Sequence, residues 1–382
     1  MSKVGKNSIV ICTPYLTTVG GTEIEAVLTA LHFYDTHKYE KVVIFSPSKC
    51  NAALFEDLIE NRAISFLHYP IFFGSNWAQF LNRMFKKWGL SAFFLETIYW
   101  FFISLRFTHF FVLTYPGSVY FFPLFRFYNP HKKYLAKITM WHFTLLSTAH
   151  QLVYKKFHKI IVFNGNQETF WKEKNTLSNV KCLDIMIFNE KKFLSLPEKS
   201  FYDDVLCLGY IGRFSRDKNI DDMILLIDFL NNKNQKKCKL IIQGDGDLSY
   251  LHELQALVLK YQLDDFIIFK IGFVSPNQTH EFYSKIDVLL VTSTHEGGPM
   301  TSLEAAASGC YVMGYDIGAM QDRFGSFPYV VNANFNSLCD SALAFLNLTT
   351  FEKLAITNEF RHYYISKLSN ATKGQQLNHL FE

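Results

Sequence analysis

Residues 205–231 read VLCLGYIGRFSRDKNIDDMILLIDFLN. Val205–Ile211 is a short apolar run of the kind that fills a buried parallel strand. Gly212 opens a turn, and Ile220–Asn231 reads as a helix. The grammar repeats downstream. Lys239–Gln243, Phe266–Lys270, Val288–Val291 and Tyr311–Gly314 read as strands, with helices over 248–261, 278–285 and 300–308. Strands alternating with helices imply a parallel sheet with right-handed crossovers.

Working back toward the N-terminus, Ser8–Thr13 (SIVICT) reads as another buried strand. The loop PYLTTVGGT follows, and Thr22 is placed to cap a helix over Glu23–Tyr34. Lys41–Ser46, Phe110–Thr114, Lys137–Trp141 and Lys159–Phe163 read as further strands. The fold class is therefore α/β, with two doubly wound Rossmann-like domains. The expected divisions are an N-terminal domain over 1–190, a polar linker over 191–204 and a C-terminal domain over 205–360. Residues 361–382 would form a terminal helix crossing back to the first domain. In sheets of this kind ligands bind at the carboxyl ends of strands, and here also in a cleft where the two domains face each other.

The chain has 382 residues, of which 49% are hydrophobic and 19% charged, so it can bury a sizeable core. Its aromatic content is 17%, with 39 Phe, and the excess is local. Residues 64–133 hold 16 Phe and three Trp, with seven Lys/Arg against the single acid Glu96. That block carries +6 where the whole chain carries +4, too mild a total to argue for nucleic acid. Trp, Phe and Lys/Arg together suit the interface of an anionic membrane. The same aromatics suit an ordinary core and the lining of a pocket, and both readings stay open. Seven Cys stand singly, without metal-ligand spacing, which fits free thiols in a reducing compartment.

Three segments carry chemistry. In GYIGRFSRDK (209–218), Arg213 and Lys218 put two cations at a strand–helix junction whose N–H groups already favour anions; a solvated basic loop is the plainer alternative. In HEGGPMTSLEA (295–305), Glu296 lies in a loop and Glu304 eight residues on, along the next helix. A carboxylate there can accept two ribose hydroxyl hydrogen bonds; chance surface charge is the alternative. Gly244-Asp-Gly-Asp247 reads as a turn that closes a strand and caps the next helix, not as a metal site. No GxGxxG follows Ser8–Thr13, which argues against a dinucleotide dehydrogenase.

In this order and spacing, GYIGRFSRDKN, LIIQGDGD, IGFVS and DVLLVTSTHEGGPMTSLEAAASG resemble the GT-B glycosyltransferases of family 4, glycosyl transferases group 1, the retaining kind. The likeness is closest over about 205–320. Gly20-Gly21-Thr22-Glu23 is similar to that family's glycine pair at the first helix, and His142 to a histidine facing the donor sugar. The resemblance implies that Arg213 and Lys218 hold the donor pyrophosphate and Glu304 the ribose. It implies that Glu296, with backbone N–H groups from Gly297, Gly298, Met300 and Thr301 around Pro299, holds the sugar ring. Gly212, Gly20 and Gly21 would admit the phosphates, His142 would contact the sugar, and Phe273 and Val274 would face the base.

The same resemblance implies a cytoplasmic enzyme on the inner face of the cell membrane. It would move a hexose or N-acetylhexosamine from a UDP- or GDP-sugar to a lipid-linked or cell-surface polysaccharide acceptor, with retention and without a metal cofactor. A soluble acceptor, or an inactive scaffold of the same fold, are the alternatives. The pattern departs at Asn189-Glu-Lys-Lys, where the family has Asn-Gly-x-Asp, and around Asn164, where it has serine.

Overall fold

The structure is a computed structural model that describes residues 7–17, 20–49, 55, 58–59, 62–88, 93–139, 143–201 and 205–382. The chain forms two compact units, Met1–Leu183 with Gly374–Glu382, and Asp184–Lys373. The boundary expected at residue 190 thus falls earlier, and the segment 191–204 belongs to the second unit. Its first residues, 191–194, lie in the helix Glu190–Leu194. The terminal segment divides: residues 361–373 stay with the second unit, and Gly374–Glu382 belong to the first.

The first unit carries a parallel sheet of β1 (Ser8–Cys12), β2 (Lys41–Ser46), β3 (Ser65–His68), β4 (His109–Thr114), β5 (Lys133–Ile138), β6 (Lys159–Val162) and β7 (Val180–Cys182). Its order is β3-β2-β1-β4-β5-β6-β7. The second unit carries β8 (Leu206–Ile211), β9 (Cys238–Gly244), β10 (Ile267–Ile271), β11 (Val288–Val291), β12 (Tyr311–Tyr315) and β13 (Val331–Asn332), ordered β10-β9-β8-β11-β12-β13. In each sheet the first strand pairs with the fourth, β1 with β4 and β8 with β11. The strand order reverses there, the point at which sheets of this kind receive ligands at their carboxyl ends.

Three local expectations differ from the structure. β5 begins at Lys133, four residues before the expected strand at Lys137, because Lys137 is itself a buried strand residue paired with Glu25 of the helix Gly21–Asp35. That helix starts at Gly21, and Gly20, not Thr22, occupies its cap position. A Cβ on Gly20 would come within 2.7 Å of the Glu23 carboxylate, so the missing side chain makes room for that carboxylate. Within 64–133 the structure forms β3 and β4 and two helices, the amphipathic Asn76–Lys87 and the largely apolar Phe94–Arg106, whose periodicity its apolar character hides.

The aromatic block splits by exposure. Trp100 is 0% exposed, packs edge-on to Phe45 at 4.6 Å and donates from its indole N–H to the Tyr69 hydroxyl at 2.7 Å. It is a core residue, not a surface aromatic. Trp88 is 66% exposed, and Trp77, Phe80, Phe72 and Phe102 are exposed with it. The helix Asn76–Lys87 buries only Ala78 and ends on Lys86 and Lys87. Among the described residues, no helix is long and apolar enough to cross a membrane.

Candidate functional site

The two cations and two carboxylates singled out in the sequence lie on the segments after β8 and β11, the pair at which the second sheet reverses, with Glu304 on the helix that follows the second loop. After β8 the backbone leaves at Gly212, whose N–H donates to the Gln243 carbonyl at 3.0 Å. Gly244 has φ +151°, and a Cβ there would sit 1.8 Å from the Gly212 carbonyl oxygen, so the two turns touch because Gly244 lacks a side chain. Gly272 N–H donates to the Gly244 carbonyl at 2.8 Å, which fastens the segment carrying Phe273 and Val274 beside the same turn. Phe273 is exposed at its tip. Asp247 caps the helix Leu248–Lys260, accepting from Ser249 N–H at 2.8 Å, so Gly244–Asp247 is the expected turn and cap.

The loop after β11 is stitched to the loop after β8. Thr292 donates its hydroxyl to the carbonyls of Lys218 and Asn219 at 3.0 and 2.9 Å. Thr294 N–H donates to the Asp217 carbonyl at 2.8 Å. These bonds carry Lys218 to Glu296, and the two form an ion pair that is largely shielded from solvent. Ser293 donates to the same Glu296 carboxylate at 3.3 Å, and Asp217 lies 3.4 Å from the ammonium. Burial pushes the Tyr210 hydroxyl well above its ordinary range, and the carboxylates of Glu296 and Asp217 push it further, with Arg213 opposing them. Tyr210 donates to the Arg213 carbonyl at 2.7 Å, while the Arg213 side chain is exposed.

Glu304 stands in the helix Met300–Ala307 and is 7% exposed. Burial pushes its carboxyl up to about 7, and a hydrogen bond from the Tyr283 hydroxyl at 2.7 Å pulls the other way. A carboxyl poised there is neutral or charged at physiological pH according to what approaches it. The N-terminus of its helix has no side-chain cap. Its first N–H groups are therefore of the kind that can donate to an anion or a hydroxyl oxygen.

Residues far along the chain hold this loop. Arg323 is 2% exposed and donates to the Pro299 carbonyl at 2.7 Å and the Ser302 hydroxyl at 2.9 Å. It also pairs with Asp184. Burial alone would raise the Asp184 carboxyl, but the Arg323 guanidinium and the Lys373 ammonium hold it well below the usual range. Gly318 has φ +58°, and a Cβ there would meet the Gly297 carbonyl oxygen at 2.6 Å. Gly297 and Pro299 are buried beneath these contacts, and Gly298, Met300 and Thr301 are half-buried.

Arg213, Lys218, Glu296, Gly297–Thr301 and Glu304 are thus brought to one end of one sheet. Gly20 and Gly21 belong to the first unit, where they open a helix. His142 lies outside the described residues. Tyr283, Tyr210, Thr292, Arg323 and Asp184 were not legible beforehand, since each acts on a residue distant in sequence or through a backbone atom.

Residues 194–337 match the family model described as "Glycosyl transferases group 1". The alpha-monoglucosyldiacylglycerol synthase of Streptococcus pneumoniae is 33% identical over 106 residues, 28% of this chain and 23% of that one. The matches to the curated relatives span 23% to 40% of those proteins. Among solved structures, S. aureus TarM superposes with a TM-score of 0.75 over 100% of both chains at 13% identity. Anabaena HepE in complex with UDP and glucose superposes with a TM-score of 0.70 over 98% of both chains, also at 13% identity.

Proposed function

We propose that this chain, which has the GT-B fold and matches the glycosyl transferases group 1 model over residues 194–337, is a retaining glycosyltransferase. It takes a UDP- or GDP-sugar as donor and passes a hexose or N-acetylhexosamine to a lipid-linked or cell-surface polysaccharide acceptor. The observation that carries this is the Lys218–Glu296 pair at the β8–β11 reversal, with Arg213 on the same loop and Glu304 on the following helix.

Breaking a sugar–diphosphate bond builds negative charge on the leaving phosphate. Lys218 has three N–H donors, and Glu296 leaves room for others to reach an oxyanion. Arg213, exposed at the same turn, adds a second cation, and fixed charges in a water-poor site are a large part of such catalysis. These two cations supply the charge that a divalent ion would otherwise supply. The pairing with Lys218 aims Glu296 at the same place, where its carboxylate and the N–H groups from Gly297 to Thr301, with the Pro299 ring between them, hold the transferred sugar. Glu304 accepts the ribose hydroxyls. Phe273 and Val274 flank the base. Gly212 gives the phosphates close approach.

The exposed Trp77, Phe80 and Trp88 with Arg83, Lys86 and Lys87 form an amphipathic, cationic surface suited to an anionic membrane, which would hold the protein peripherally on the cytoplasmic face. The test is release of nucleoside diphosphate from a panel of UDP- and GDP-sugars with membrane-extracted acceptors. Turnover should be lost in Lys218→Ala and Glu296→Ala while both stay folded. Absence of turnover and of nucleotide binding by the wild type would end the proposal; a normal rate in either variant would remove the site assignment.

A further inference from the structure

The second unit holds a cavity at the end of its sheet opposite the loops that carry Lys218 and Glu296. Its volume is about 400 Å³, within the range of small-molecule sites. It gathers the amino ends of three adjacent strands. Leu206 opens β8, Lys237 immediately precedes β9 and Asp287 immediately precedes β11. The helix Thr350–Tyr363 closes one side with Thr350 and Lys353. β8 spans six residues, so this end of it lies about 20 Å from the end that carries the Arg213 loop.

Charge in this cavity is one-sided. Among the described lining residues, Lys236, Lys237 and Lys353 stand against one acid, Asp287. That carboxylate is already engaged, accepting from the Cys207 N–H at 2.8 Å. Lys353 donates to the Leu346 carbonyl at 3.0 Å, which fixes the ammonium and leaves two further donors. Burial pushes this ammonium below its ordinary value, and the charge of Lys236 pushes the same way. Among the described residues, Lys236 and Lys237 have no ion-pair partner. Ser200, Gln235 and Thr350 add neutral hydrogen-bonding groups. The backbone bordering the lysines is held in an unusual form. Phe201 and Gln235 have φ of +49° and +53°, the left-handed region, which a bulky side chain enters only at a cost. Phe201 is anchored there by the Thr350 hydroxyl, which donates to its carbonyl at 3.3 Å, and by the Phe345 ring, packed edge-on at 6.2 Å.

We propose that this cavity binds the phosphate monoester group of a small soluble molecule, at a site separate from the donor loops. Three ammonium groups against one carboxylate leave two positive charges unbalanced. A monoester carries about −1.5 to −2 at neutral pH and matches that excess, whereas a diester supplies only one charge. Lysine ammoniums are point charges with several donors each, suited to the three terminal oxygens of such a group. Gln235, Ser200 and Thr350 supply donors for the oxygens the lysines leave. The ligand is distinct from the nucleotide sugar, whose phosphates go to Arg213 and Lys218, and both sites can be filled together because they lie at opposite ends of the same strands.

The test titrates the full-length protein by calorimetry with glycerol 3-phosphate, inorganic phosphate and glycerol, and measures UDP binding on the same preparations. Both phosphates should bind saturably, and glycerol should not. Affinity for glycerol 3-phosphate should fall at least tenfold in Lys236→Ala, be retained in Lys236→Arg and stay within twofold of wild type in Lys218→Ala. Lys237→Ala, at an exposed side chain, stands in if Lys236→Ala does not fold. UDP affinity should be the same in Lys236→Ala as in the wild type. Equal glycerol 3-phosphate affinity in the wild type and in folded Lys236→Ala and Lys237→Ala would overturn the proposal. So would a wild type that binds neither phosphate, the result expected if Asp203 or Asp204, which lie outside the described residues, neutralised the lysines. UDP binding without phosphate binding refutes only this cavity, and phosphate binding without UDP binding refutes only the donor site.

Discussion

Glu304 gives the sharpest quantitative prediction. Its carboxyl stands at about 7 in the ligand-free protein, raised from 4.5 by burial beside Tyr283. Ribose hydroxyls donating to it would favour the charged form and return it toward the ordinary range. Binding a nucleotide sugar should then release a proton, and affinity should fall as pH falls through 7. For a drop from about 7 to about 4.5 on binding, linkage gives a loss of about twenty-fold in affinity between pH 7.5 and 5.5, or about 1.8 kcal/mol. A nucleotide sugar is the right probe, because both its phosphates are esterified and do not titrate in this window. Calorimetry in buffers of different ionisation enthalpy reads the proton directly. Glu304→Gln should bind more weakly but with a flat pH profile. A flat wild-type profile, or an equal slope in Glu304→Gln, would refute the assignment of ribose to Glu304. In stability the sign is opposite to that of a paired carboxylate. The native state holds a proton the unfolded chain has lost, so this group's contribution falls as pH rises from about 4.5 to about 7 and is constant beyond.

Gly244→Ala should abolish donor binding and lower the melting temperature, because its Cβ would sit 1.8 Å from the Gly212 carbonyl oxygen at a φ of +151°. Arg323→Ala leaves Asp184 buried with a cation removed and should cost about 3–5 kcal/mol of stability by chemical denaturation. Arg323→Lys, keeping charge but not the fork, should spare more stability and still raise KM for the donor, because the Pro299 contact is lost. Trp100→Ala should cost about 3–5 kcal/mol, whereas Trp88→Ala should leave the melting temperature unchanged and weaken binding to vesicles of anionic lipid. Equal effects of the two Trp variants would contradict the split between core and surface.

Short-range pattern carried the fold. Apolar runs at β1, β8, β9 and β11, each followed by a turn and a helix, are local features and appear where expected. The cations Arg213 and Lys218 and the acids Glu296 and Glu304 were legible because each sits at a fixed offset from a strand end. Their partners were not. Tyr283 reaches Glu304 across 21 positions, and Arg323 reaches Asp184 across 139. Such pairs exist only once the sheet order sets neighbours, and no spacing rule encodes them. The block 64–133 resisted for a different reason. Along Phe94–Arg106 nearly every position is apolar, the 3.6-residue period vanishes, and only burial tells Trp100 from the exposed Trp88. Lys137 misled because a buried ion pair put a charge inside a strand.

The most direct measurement is calorimetric titration of the wild type and Lys218→Ala with UDP, GDP and their sugars. One nucleotide family should bind the wild type at a single site, with affinity reduced at least tenfold in the folded variant. A folded wild type that binds none of them, or a variant that binds as tightly, would contradict a nucleotide-sugar site at the β8–β11 reversal.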